Sequence, residues 1–174
     1  MLNIQLIKAT PGDLEKIRKI GIETIIETFA MSNDDENTKK YLNESFDPEK
    51  ILKELNDPDS EFYLALLDKK VIGYLKINFG KAQTDVNDPN SLEIERIYVY
   101  KEFQGKDIGK ILFDKAFEIA SANNLKYIWL GVWENNHRAL SFYKKHGFVE
   151  FDKHVFRYGN DDQTDLLMKF ELTN

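Results

Sequence analysis

Apolar and polar positions along the chain follow two rhythms, and the elements can be read where one gives way to the other. Residues 3–9 read as a strand. Thr10 is placed to cap a helix whose first turn holds Pro11 and Asp13. Leu14, Ile17, Ile20, Ile25 and Phe29 then form a stripe at helical spacing. The polar stretch 32–37 breaks it, and shorter helices are predicted over 37–46 and 48–56, the second opened by Asp47-Pro48. Strands over 62–67 and 71–79 flank Asp68-Lys69-Lys70, which reads as a hairpin turn. Residues 81–91 are a polar loop, 92–99 a third strand, and 108–123 a helix with Ile108, Leu112, Ala116, Ile119 and Ala120 on one face. The run 127–132 is almost wholly apolar, as in a buried strand. Ala139, Phe142 and Tyr143 share a face of a helix that Gly147 can end, and strands over 148–156 and 164–172 follow. This is a mixed α/β pattern around one sheet, expected to form a single domain over 1–174.

One strand breaks its own rhythm. Leu92 and Ile94 are apolar on one parity, and Ile97 and Val99 on the other. Side chains of a regular strand alternate between faces, so both pairs cannot share one. Either a one-residue bulge near Glu95-Arg96 restores the phase, or the strand is buried on both sides.

Composition narrows the chemistry. Cysteine is absent, which excludes disulfides, thiolate metal sites and a cysteine nucleophile. His137, His146 and His154 have no metal-ligand spacing, so no metal is expected. A net charge of −6 disfavours nucleic acid and is compatible with a cationic substrate. No apolar run is long enough to cross a bilayer, and the first residues lack the basic and apolar regions of a secretory signal. A cytoplasmic protein without a membrane partner is expected, and Asn43-Glu44-Ser45 carries no weight as a glycosylation sequon.

The segment 92–109 runs strand, loop, helix start. Amides at a helix start lack intrahelical partners, and glycine lets them approach a phosphate closely. With Lys106 and Lys110 beside it, this is a candidate pyrophosphate cradle, or simply a turn with solvated lysines. Downstream, Asn135 or Asn136 can cap the helix carrying Ala139 and Tyr143. Tyr143 is a core residue by position, yet its hydroxyl needs a partner or can donate a proton.

Together these segments resemble the GNAT acetyltransferase superfamily over nearly the whole chain. The family's Gln/Arg-x-x-Gly-x-Gly/Ala loop reads Gln104-Gly105-Lys106-Asp107-Ile108-Gly109 here, and its Asn-x-x-Ala-x-x-Phe-Tyr-x-x-x-Gly-Phe signature is matched in full from Asn136 to Phe148. Residues 91–98, 128–134 and 163–168 look more narrowly like the bacterial PaiA-type spermidine/spermine acetyltransferases. The loop departs from the pattern at Asp107, where the family usually has glycine. Aspartate tolerates left-handed backbone better than most residues, but its carboxylate near a pyrophosphate is unfavourable unless it points away or pairs with Lys106 or Lys110.

The resemblance implies a mostly antiparallel mixed sheet flanked by helices, the GNAT acyl-CoA N-acyltransferase fold, with acetyl-CoA as co-substrate. It implies direct transfer to a primary amine, a polyamine above all, within a ternary complex. The backbone of Ile97, Tyr98 and Val99 would steer the thioester, and the span from Gln104 through Gly105, Lys106, Asp107, Ile108 and Gly109 to Lys110 would hold the pyrophosphate. Asn136 and Ala139 would meet the cofactor arm, and Tyr143 would protonate the departing thiolate. Glu95 is the first expectation for the general base, acting through water, and Glu93 the second. Asp34, Asp35 and Glu36 could form a polyamine entrance or a solvated acidic loop. Trp129 and Trp133 point to one side, for core packing, an interface or substrate. Three other readings stay open: a protein N-terminus, a lysine or another small amine as acceptor; a CoA-binding regulator with little turnover; and a monomer or a homodimer. A nucleotide-triphosphate enzyme is excluded, because the Gly-Lys-Ser/Thr ending of a P-loop is missing.

Overall fold

The structure is a computed structural model that describes residues 3–29 and 35–172. Its elements, in chain order, are β1 (Gln5–Lys8), α1 (Leu14–Phe29), α2 (Glu36–Ser45), α3 (Pro48–Leu55), β2 (Ser60–Leu67), β3 (Lys70–Asn78), β4 (Ser91–Val99), α4 (Ile108–Ala122), β5 (Tyr127–Trp133), α5 (His137–Lys145), β6 (Val149–Tyr158) and β7 (Asp161–Glu171). The strands form one sheet in the order β1-β2-β3-β4-β5-β7-β6, antiparallel except where β4 and β5 pair. Among the described residues no helix is long and apolar enough to cross a membrane.

Local chemistry sets the joints. Asp13 accepts from the Thr10 N–H at 3.0 Å and so closes a capping box before α1. Asp68 and Lys69 both take positive φ, as a two-residue hairpin between β2 and β3 requires. Asp47 caps α3 by accepting from the Lys50 N–H.

Alternation along β2 builds two cores, one on each face of the sheet. Phe62 and Leu64 meet Ile17, Ile20, Phe46 and Ile51 from the α1–α3 side, while Tyr63 and Ala65 meet Leu112 and Ala116 of α4. Gly21 in α1 leaves room for the Phe46 ring, since a Cβ there would lie 2.1 Å from the ring edge.

The phase break in β4 is a bulge. Lys76 pairs with Arg96 and Ile77 with Ile94, so Glu95 is the extra residue. Leu92, Ile94, Ile97 and Val99 therefore all join the α4 core, while Tyr98 turns to the α1 side and stacks on Tyr74 at 6.0 Å.

Candidate active site

β4 and β5 pair only at Ser91, Leu92 and Glu93, opposite Tyr127, Ile128 and Trp129. Beyond Glu93 they part, because β5 follows β7 along its whole length while β4 stays with β3. The Tyr100 N–H donates toward β3, to the Ile72 carbonyl at 3.0 Å. By alternation, the Ile97 and Val99 backbone groups face the gap. The Val99 carbonyl there accepts from Gln104 Nε2 at 3.0 Å.

Two clefts open from this gap. A cleft of about 580 Å3 runs from Ile97, Tyr98 and Val99 past Gln104, Gly105, Asp107, Gly109 and Lys110 to α5. Asp107 sits at φ 62°, ψ 7°, the left-handed backbone that its place in the loop demands, and Gly105 at φ 76°. The first helical bond of α4 runs from Ile111 N–H to the Asp107 carbonyl, so the amides before it point onward without intrahelical partners. A Cβ at Gly105 or Gly109 would meet nothing within 4 Å, so the cradle is open. Asp107 forms no ion pair among the described residues, whereas Lys110 pairs with Asp114 at 2.5 Å. Two side chains of the expected set stand elsewhere: Ile108 is in the core and offers only backbone, and the Lys106 ammonium lies over the Phe103 ring at 5.3 Å. Arg138 and Lys145 line the same cleft and were not anticipated; their spacing with Phe142 along α5 is the signal that places them on one face.

The second cleft, about 920 Å3, lies between α1, α2 and the β5–β7 face. The two share Ile97, Tyr98, Asn136, Ala139 and Tyr143. Asn136 caps α5 by accepting from the Ala139 N–H at 3.2 Å. Burial pushes the Tyr143 hydroxyl well up, so it stays protonated at neutral pH, and among the described residues no side chain hydrogen-bonds it.

Glu93 and Glu95 reach the second cleft in different states. Glu93 is 3% exposed. Its carboxylate accepts from Asn78 Nδ2 at 2.9 Å, from the Thr84 N–H at 2.8 Å and from the Thr84 hydroxyl. Burial and the neighbouring Glu95 charge raise its pKa above the usual range despite these bonds. Burial would raise Glu95 too, but the Arg96 and Lys76 charges, with bonds from Lys76 and Asn78, bring it down to about 2. A carboxylate so low is a weak base, and the geometry makes Glu95 a counter-ion. The sequence did not point to Thr84 or Asn78, because their partners lie across a loop and a strand.

Of the acidic run, Asp34 lies outside the described residues. Asp35 lines the second cleft but is occupied capping α2, where it accepts from the Thr38 N–H and hydroxyl, both at 2.8 Å. Glu36 begins α2 and does not line the cleft. Trp129 and Trp133 both line it, their indole N–H groups donating to Gln83 and Gln163. His154 and Asp165, unanticipated, stand on the same wall. Among the described residues no cluster of His, Asp and Glu could hold a metal ion.

Comparison with known proteins agrees with this geometry. The acetyltransferase (GNAT) family model matches residues 24–148. The chain belongs to that family. An uncharacterized N-acetyltransferase in the pepI 3' region of Lactobacillus delbrueckii subsp. lactis is 40% identical over 169 residues, 97% of this chain and 98% of the relative. The spermidine N(1)-acetyltransferase of Thermoplasma acidophilum is 27% identical over 151 residues, 84% of this chain and 89% of the relative. The crystal structure of the PaiA N-acetyltransferase from Thermoplasma acidophilum in complex with coenzyme A superposes with a TM-score of 0.80 at 25% identity, covering 98% of this chain and all of that one. The protein is an acetyl-CoA-dependent N-acetyltransferase, and the narrower likeness to the PaiA type holds.

Proposed function

We propose that the acceptor is a polyamine, spermidine or spermine, acetylated on a primary amine by direct attack on the thioester. The observation that carries this reading is the wall of the larger cleft. Asp35, Asp85, Glu93, Glu95, Asp161 and Asp165 stand there among aromatic rings, against Lys50, Arg96 and His154 among the described residues. Carboxylates and ring faces suit alkylammonium groups. The spermidine-acetylating relative supports the same class of acceptor.

The amine arrives as an ammonium with a pKa near ~10 and must lose a proton before it attacks. Glu93, with its raised pKa, is the better matched acceptor of that proton, through water, and Glu95 holds Lys76 and Arg96 in place. The amine nitrogen then bonds to the acetyl carbon. The backbone N–H groups at Ile97 and Val99 face the gap where the carbonyl oxygen gains charge. When the carbon–sulfur bond breaks, Tyr143 gives its proton to the thiolate, and the second proton that the attacking nitrogen sheds as it becomes an amide restores the phenol. The loop from Gln104 to Lys110, together with Arg138 and Lys145, holds the phosphates of the donor.

Acetyl-CoA consumption with spermidine, spermine and a panel of N-terminal and lysine peptides tests the reading. Preferred turnover of the polyamines supports it. Turnover of peptides alone leaves the donor and removes the polyamine.

A further inference from the structure

β5 directs Trp129, Gly131 and Trp133 to one side, so Gly131 leaves a gap between two indoles. Asp165 on β7 pairs with Trp133, and its carboxylate leans over that gap: a Cβ at position 131 would lie 3.3 Å from Asp165 Oδ2. The Asp165 side chain is only 17% exposed. Among the described residues no hydrogen-bond donor reaches it, and the nearest partner is His154 Nε2 at 3.8 Å, beyond bonding distance. His154 is itself engaged through Nδ1 with Asp85. A largely buried carboxylate without donors is costly, and burial raises its pKa in keeping with that.

We infer that Asp165, set over Gly131 between Trp129 and Trp133, binds the second, non-reacting ammonium group of the acceptor; this rests on the polyamine reading above. An ammonium brings three donors to a carboxylate that accepts none among the described residues, and a positive charge closer than His154, whose Nε2 stands 3.8 Å away. The Trp133 N–H is already used on Gln163, so Trp133 offers the cleft its aromatic surface, which attracts cations, while Trp129, 1% exposed and bonded to Gln83, backs the subsite. Asn136, at the junction of the clefts, follows Trp133 by three residues. One molecule can therefore present one amine at the junction and another at Asp165. Asp165 selects acceptors with two positive charges over monoamines, and the bare backbone of Gly131 keeps the subsite open.

The test is calorimetric titration of spermidine, with steady-state kinetics on spermidine and n-butylamine, for the wild type, Asp165→Asn and Asp165→Glu. Removing a charged hydrogen-bond partner should weaken spermidine binding and raise its KM roughly 10- to 100-fold. The preference for spermidine over n-butylamine should narrow, acetyl-CoA affinity should report an intact fold, and Asp165→Glu should recover part of the loss. Equal spermidine affinity in wild type and Asp165→Asn would overturn the subsite while leaving the polyamine acceptor standing. A wild type that neither binds nor acetylates any polyamine would overturn the acceptor reading, and the subsite with it.

Discussion

Glu93 and Glu95 share one donor: Asn78 Nδ2 lies 2.9 Å from Glu93 Oε2 and 2.7 Å from Glu95 Oε2. Burial opposes ionisation of both, yet their pKa values move apart, because only Glu95 has the cations. If Glu93 takes the amine's proton, kcat/KM rises with pH through the raised Glu93 pKa, above its ordinary 4.5. Glu93→Gln should remove that acid limb and lower kcat by roughly 100-fold. A pH–rate profile of both proteins checks it; an unchanged limb would sink the assignment.

Glu95 ties part of the stability to pH in acid. Its folded pKa is depressed, so its contribution is present above the unfolded value of about 4.5 and lost as pH falls toward about 2. Glu93 has the opposite sign: its raised pKa contributes below the unfolded value and is lost as pH rises through the folded one. Glu95→Gln leaves Lys76 and Arg96 short of a counter-ion and should cost ~3 kcal/mol. Urea melts at pH 3 and pH 7 should show a deficit that shrinks in acid.

Tyr143→Phe keeps the ring, which packs against Phe148 at 5.7 Å and Phe142 at 5.5 Å, and removes only the hydroxyl. The fold and acetyl-CoA affinity should hold while kcat falls by roughly 100-fold. Single-turnover measurement of acetyl transfer separates this from a change in product release.

Asp107 carries a side chain in left-handed backbone and a carboxylate in the cleft proposed for the donor's phosphates. Asp107→Gly removes both penalties. It should tighten acetyl-CoA several-fold, on the order of 1 kcal/mol, with the gap between the two proteins widening on lowering the salt. Calorimetry at two ionic strengths reads this directly.

Gly21→Ala places a methyl group within the Phe46 ring, and that ring carries the Arg96 guanidinium 4.8 Å from its centroid. Overpacking should cost about 1–3 kcal/mol in a thermal melt. The displacement should reach the larger cleft through Arg96, so KM for the amine should rise more than KM for acetyl-CoA.

The elements were legible because each announces itself locally. Thr10 and Asp13 before α1, Asp47-Pro48 before α3, and the broken parity of Leu92, Ile94, Ile97 and Val99 all work within a few residues. The loop and the Asn136–Phe148 signature are local in the same way, and residues of both line one cleft. What the chain order conceals is pairing across distance. Lys76 looks like an ordinary strand lysine until β3 sets it beside Glu95, and Thr84 is loop polarity until it folds onto Glu93. Asp165 and His154 belong to strands whose faces are fixed only by the register of β5, β7 and β6. Charge states follow from such neighbours, and so Glu93 and Glu95, indistinguishable as letters on one strand, end with opposite pKa shifts.

The parting of β4 from β5 beyond Glu93 makes the sheet a wall with a doorway. One side of the doorway faces α4 and α5, the other α1, α2 and the strands from β5 onward, and five residues frame it. On the proposed reading, donor and acceptor use separate entrances and meet only at the threshold. Neither would then have to leave for the other to enter, and the order of traffic would be set by affinity and not by obstruction.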